Sequence, residues 1–182
     1  FHRALFTQCE RVMLTINRLP QPVIARVHGI ATAAGCQLVA TCDLAVATED
    51  ARFATSGINV GLFCSTPGVA LSRNLSRKYA LELLLTGDFM DAPTALQRGL
   101  LNRVVPPEQL DAAVWQLANM ISNKPPLAIA TGKELFYRQL EMVLEDAYAR
   151  ASEIMACSMN SADAREGIDA FIAKRKPELQ GR

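Results

Sequence analysis

The chain has 182 residues, half of them hydrophobic, five cysteines and a formal net charge of +1. That length supports one globular domain with a sizeable core and a smaller appendage. The interspersed charge excludes a basic stripe for nucleic acid, and the longest apolar runs fall short of the ~20 residues of a membrane-spanning helix. Cys9, Cys36, Cys42, Cys64 and Cys157 are odd in number and lack C-x-x-C spacing, which argues against a disulfide framework and against a zinc or other metal site. A reducing compartment is the simplest inference. The opening FHRALFTQCE has no initiator Met and no signal-like pattern, so an internal start is expected and localisation is not legible from these residues.

Leu5, Cys9, Val12, Met13, Ile16 and Leu19 recur at helical spacing, which predicts an amphipathic helix ended by Pro20 and Pro22. Residues 22–28 read as a buried, β-branched strand, and Gly29 permits a sharp turn. A short helix begins inside Ala33-Ala34-Gly35, and residues 43–47 form the next apolar strand. A polar turn and a short strand over 51–54 follow. Turn residues crowd residues 56–68, predicting a loop that faces a pocket. One or two helices then run to a stop at Gly87, another helix starts beside Pro93, and residues 101–105 make a strand. Beyond Pro106 and Pro107 the character turns helical. The predicted helices start at about Leu110, at Pro125-Pro126 and at Glu141, with a last one capped by Ser161 and stopped by Pro177. This order predicts an α/β fold, with residues 1–105 as an α/β core and 106–182 as a helical C-terminal region.

The small side chains of Ala33, Ala34 and Gly35 let a ligand approach the free N–H groups of a helix's first turn, where the dipole is positive. Developing negative charge would be stabilised there. The bland reading, close packing of helix on strand, would prevail without further motifs.

Those motifs exist. Residues 22–47, then ARFATSGINVGL, TGDFMDAPTALQRGLLNRVV and REGIDAFIAKRKPEL, resemble the enoyl-CoA hydratase/isomerase family, the crotonase superfamily, in the family's order and over essentially the whole chain. The GLFCSTPGVALSR stretch is similar to that of a mitochondrial branch. The resemblance implies a spiral of β-β-α turns followed by helices that mediate a homotrimer or a dimer of trimers. It also places the N-terminal part of the core, with part of the nucleotide site and the targeting segment, upstream of Phe1. The implied ligand is an acyl-CoA thioester, coenzyme A being part of that ligand rather than a separate cofactor. Its carbonyl becomes an enolate-like oxyanion held by two backbone N–H groups. One is implied at Ala34 and the other upstream of Phe1.

The two glutamates that act as acid and base in the family's hydratases fall at Gln37 and Gly57, neither of which can transfer a proton. A third carboxylate position used in another branch falls near Ser65. Gln37 can orient a water or the thioester, or can simply be a satisfied polar residue. Cys64, Ser65 and Thr66 are weak candidates for a nucleophile or proton shuttle, with pocket-lining loop residues as the better reading. His2 and His28 receive no role, and Asp43 reads as a backbone hydrogen-bonding residue. Phe171 and Lys174, read as one helical turn apart on one face, are implied by the resemblance to reach the CoA of a neighbouring subunit.

Two functional readings follow. The first is an acyl-CoA enzyme of lipid metabolism lacking standard hydration, and the second a non-catalytic acyl-CoA binding or assembly protein. A serine or cysteine thioester hydrolase ranks last, because no G-x-S-x-G motif and no nearby histidine is evident.

Overall fold

The computed structural model describes residues 1–181. They fall into two compact units, one made of Phe1–Asn17 with Val23–Ala118 and the other of Arg18–Pro22 with the residues from 119 onward.

The first unit is the α/β part. Helix α1 (His2–Arg18) ends where Pro20 and Pro22 forbid continuation, and it keeps Leu5, Phe6, Val12 and Leu14 exposed. Strand β1 (Ile24–Val27) turns at Gly29, whose φ of 70° is open to glycine at no steric cost, into β2 (Ile30–Thr32). Helix α2 (Ala34–Thr41) follows, then β3 (Leu44–Thr48) and β4 (Arg52–Ala54). A 3-10 turn (Ser56–Val60), α3 (Ser65–Asn74), α4 (Arg77–Thr86), β5 (Met90–Asp91), α5 (Ala92–Gln97) and β6 (Arg103–Val105) complete the spiral. Helix α6 (Leu110–Ser122) leads out of it.

Two three-stranded sheets result, in the orders β1-β3-β6 and β2-β4-β5. Ile24 pairs with Leu44 and Ile30 with Arg52, both in parallel, so each β-β-α turn stacks on the next with a similar chain offset. This is the expected β-β-α spiral. Small residues make the stacking possible. Ala31, Ala45, Ala47, Ala51, Ala92 and Ala95 close the layers around Phe53, Leu71, Leu83 and Leu84. Each of those larger side chains contributes about 2 kcal/mol by burial. Polar side chains pin the strand ends. Val23 donates its N–H to Asp43 Oδ2 at 2.6 Å, and Ala45 donates to Asn102 Oδ1 at 2.7 Å while the Asn102 N–H returns a bond to Ala45 O. Asn74 Nδ2 donates to Ala40 O at 2.7 Å, tying α3 to the end of α2.

The expectation of a loop over 56–68 is corrected, since only the middle of that stretch is irregular. Pro67 stands in the first turn of α3, where its missing N–H costs nothing. Gly68 lets that helix approach α4, as a Cβ there would meet Leu84 Cδ1 at 3.4 Å. The predicted stop at Gly87 holds: its φ is 68°, and a Cβ would lie 2.7 Å from Ile58 Cγ2.

The second unit is helical, with α7 (Pro126–Gln139), α8 (Leu144–Ser158) and α9 (Ala162–Ile172). Ser161 caps α9 by accepting from Ala164 N at 3.1 Å. The chain after α9 folds back on it. Arg175 forms a two-pronged pair with Glu166, Glu178 N donates to Glu166 Oε1, and Gln180 and Gly181 donate their N–H groups to the two oxygens of Asp163. Pro177 does not stop α9, which ends at Ile172 in a Schellman turn. Lys174 N bonds to Phe171 O, Arg175 N bonds to Ala170 O, and Lys174 takes a left-handed φ of 52°. Among the described residues, no helix is long and apolar enough to cross a membrane.

Candidate functional site

The turn into α2 is built by Ala33. Its φ of 47° and ψ of −116° lie where alanine rarely goes, and two bonds hold it there. Its N–H donates to Ala54 O at 3.0 Å and its carbonyl accepts Gln37 N at 3.0 Å. Thr32 Oγ1 and Ser56 Oγ share a hydrogen bond of 2.9 Å, which fastens the end of β2 to the start of the 3-10 turn. Ala34 is thereby the first helical residue, with an N–H that has no acceptor within its own helix. Ala34 and Gly35 are exposed, and a Cβ built on Gly35 would meet nothing within 4 Å. A ligand oxygen has open access to this positive helix end.

Gln37 sits one turn further along, 6% exposed. Cys9 on α1 donates its thiol hydrogen to Gln37 Oε1, with 3.7 Å between sulfur and oxygen. Sequence reasoning did not single out Cys9 as a functional residue. A helical cysteine 28 positions away carries no local signal of that pairing. The strain at Ala33 was equally invisible, because an alanine gives none of the warning that a glycine would.

Gly57 lies in the 3-10 turn, and the structure closes the space a side chain would need there. A Cβ would meet Cys64 Sγ and Leu62 O, each at 2.7 Å. Leu62 N also donates to Gly57 O at 2.9 Å, so the chain folds tightly over this position. The structure therefore brings Gly57 and Cys64 together, and the thiol stands where a longer side chain would begin. Cys36, in the first turn of α2, is fully buried. Burial pushes its thiol up to about 12, with the neighbouring Cys64 adding to the rise, so it is a protonated core residue at neutral pH.

Ser65 is exposed and its hydroxyl donates to Phe63 O at 3.3 Å, a local bond that supplies no base. His28 Nδ1 lies 3.3 Å from an Arg26 NH, whose guanidinium also binds Asp111 Oδ1 at 2.5 Å. That guanidinium holds the Asp111 carboxyl below its ordinary range. His28 thus has a permanent cation as its hydrogen-bonding neighbour. Asp43 does what its sequence position suggested, accepting a backbone N–H. Phe171 and Lys174 do not share a helix face. Phe171 is in the last turn of α9, 83% exposed, whereas Lys174 lies past the left-handed break. Among the described residues, no three His, Cys, Asp or Glu side chains are grouped to hold a metal ion.

Residues 3–182 match the family described as enoyl-CoA hydratase/isomerase. Mitochondrial enoyl-CoA hydratase domain-containing protein 3 of Mus musculus is 51% identical over 177 residues, covering 97% of this chain and 59% of the relative. The 2,3-dehydroadipyl-CoA hydratase of Escherichia coli is 33% identical, covering 89% of this chain and 64% of the relative. Among solved structures, an enoyl-CoA hydratase from Mycobacterium smegmatis superimposes with a TM-score of 0.96 at 62% identity, over 98% of this chain and 69% of that one. Human enoyl Coenzyme A hydratase domain-containing protein 3 does so with a TM-score of 0.95 at 49% identity, over 98% and 70%. The chain spans about three fifths of the length of the Mus musculus relative.

Proposed function

Because the chain belongs to the enoyl-CoA hydratase/isomerase family, we propose that it binds acyl-CoA thioesters of lipid metabolism at the α2 turn and does not perform standard hydration of 2-enoyl-CoAs. The observation that carries this reading is the state of the two proton-transfer positions. Gln37 has no usable proton, and at Gly57 the thiol of Cys64 and the carbonyl of Leu62 occupy the space of any side chain. The Ala34 N–H and the helix end behind it remain suited to a thioester oxygen that gains negative charge. Binding is retained on this reading, while the two-carboxylate chemistry is not.

Coenzyme A enters as part of the ligand. Lys174, exposed at the end of α9, is suited to a phosphate of the nucleotide bound by a neighbouring copy, with Phe171 as an apolar contact. Such an arrangement requires self-association, and a trimer or a dimer of trimers is part of the proposal. The mitochondrial names of the similar proteins support a mitochondrial setting.

Calorimetry with short and long acyl-CoAs, alongside assays of enoyl hydration, double-bond isomerisation and thioester hydrolysis, tests the reading. Binding with hydration at least a thousandfold below that of a hydratase relative is expected. Hydration at a comparable rate would overturn the assignment of Gln37 and Gly57, and absence of acyl-CoA binding would overturn the whole reading.

A further inference from the structure

The glutamine at position 37 is held, not idle. Its carbonyl oxygen is taken up by the Cys9 thiol, which occupies the oxygen end of the amide. The side chain is more than nine-tenths buried, yet its nitrogen has no acceptor among the described residues. The sealed, partnerless polar atoms among those residues are Thr48 Oγ1 and Arg150 Nε, so the Gln37 N–H2 group is not closed off. Side chains on a helix lean toward its N-terminus and cover the preceding turn. For Gln37 that turn is Ala33-Ala34, beside the open space at Gly35. An N–H2 group that is not closed off can donate to a ligand oxygen brought against it.

We propose that Cys9 is a positioning residue that fixes the Gln37 amide with its N–H2 toward the α2 turn, and that this amide is a side-chain donor to the thioester carbonyl held at Ala34. The replacement of a carboxylate by an amide at this position then changes an acceptor into a donor. A carboxylate there would repel the developing oxyanion, whereas the amide supplements the backbone N–H. The thiol holds the oxygen end of the amide by donating to it, as a serine hydroxyl in its place would. This rests on the reading of the site as an acyl-CoA site.

Two measurements separate that reading from the role of Cys9. In the unliganded chain, the side-chain amide of Gln37 is followed by NMR. Cys9→Ala is expected to broaden or shift its N–H2 pair as the amide is freed, and Cys9→Ser to preserve one fixed environment. An amide unchanged in Cys9→Ala would overturn the proposal whether or not acyl-CoA binds. In the liganded chain, butyryl-CoA and free coenzyme A are titrated against each variant. Cys9→Ala is expected to weaken butyryl-CoA about fivefold, the loss of one neutral hydrogen bond, with free coenzyme A unaffected. Cys9→Ser should stay within about twofold of the unaltered chain. The infrared carbonyl stretch of the bound thioester should return toward its free value in Cys9→Ala only. Equal weakening of free coenzyme A, or Cys9→Ser behaving as Cys9→Ala, would overturn it. If Cys9→Ala does not fold, Gln37→Met keeps the volume and removes the donor, and normal butyryl-CoA affinity in that variant would overturn the assignment. Failure of the unaltered chain to bind butyryl-CoA at all would instead remove the acyl-CoA reading and, with it, the amide's role as a thioester donor, leaving the Cys9 hold on Gln37 to the NMR result.

Discussion

Ala33 pays a conformational cost for its place. With φ at 47° and ψ at −116°, it occupies a region where a side chain adds roughly 1–3 kcal/mol of strain. Glycine would remove that strain but enter with more freedom to lose, so Ala33→Gly is expected to stabilise the chain by about 1 kcal/mol in urea unfolding. A loss of stability would show that the methyl group itself packs. Position 57 has the opposite logic. Gly57→Glu must displace Cys64 and the Leu62 carbonyl, the second of which is backbone, and is expected to cost about 2–4 kcal/mol in the same measurement. Reducing Cys64 to alanine beforehand would relieve only the side-chain half of that clash.

At the level of elements, the capping hydroxyl of Ser161 satisfies a first-turn N–H of α9, and Ser161→Ala is expected to lower stability by about 1 kcal/mol in urea titration. The segment after α9 depends on charge. Glu166 accepts from Arg175 and from the Glu178 N–H, and these bonds hold its carboxyl down to about 2 from an ordinary 4.5. A depressed carboxyl contributes above its unfolded value and loses that contribution as pH falls through its folded one. The Glu178 amide shift, followed by NMR, should therefore change as pH falls from about 4.5 to about 2. Glu166→Gln should abolish that titration. Long helices such as α1 and α8 were legible because periodicity and proline or polar breaks mark them over many residues. β2 and β5, three and two residues long, were not, since pairing with β4 creates them and their own side chains do not. The Thr66-Pro67-Gly68 run reads as a turn in isolation and becomes helix because its Pro falls in a first turn and its Gly faces α4. At the site, the helix start inside Ala33-Ala34-Gly35 was legible through its small residues, whereas the Cys9 bond exists only once a segment 28 residues away is packed against α2, and the closure over Gly57 only once residues 57–64 fold into their turn.

For the molecule as a whole, α8 carries a surface that supports the proposed self-association. Leu144, Tyr148 and Met155 follow helical spacing and are 67%, 70% and 66% exposed, an apolar stripe unusual on a solitary soluble chain. Light scattering is expected to give about three times the 19.8 kDa chain mass or a multiple of that, and Tyr148→Glu should reduce it. A monomer at micromolar concentration would count against the trimer. The order β1-β3-β6 has a separate consequence for how the first unit breathes. Strand β3 is flanked on both sides by parallel partners and its Val46 and Ala47 are fully buried, while among the described residues β1 and β6 each pair with β3. A strand paired on both sides and buried opens later than one paired on a single side. Deuterium should therefore enter the β3 amides last, so that the turn carrying Ala34 leads directly into the most protected strand of its sheet.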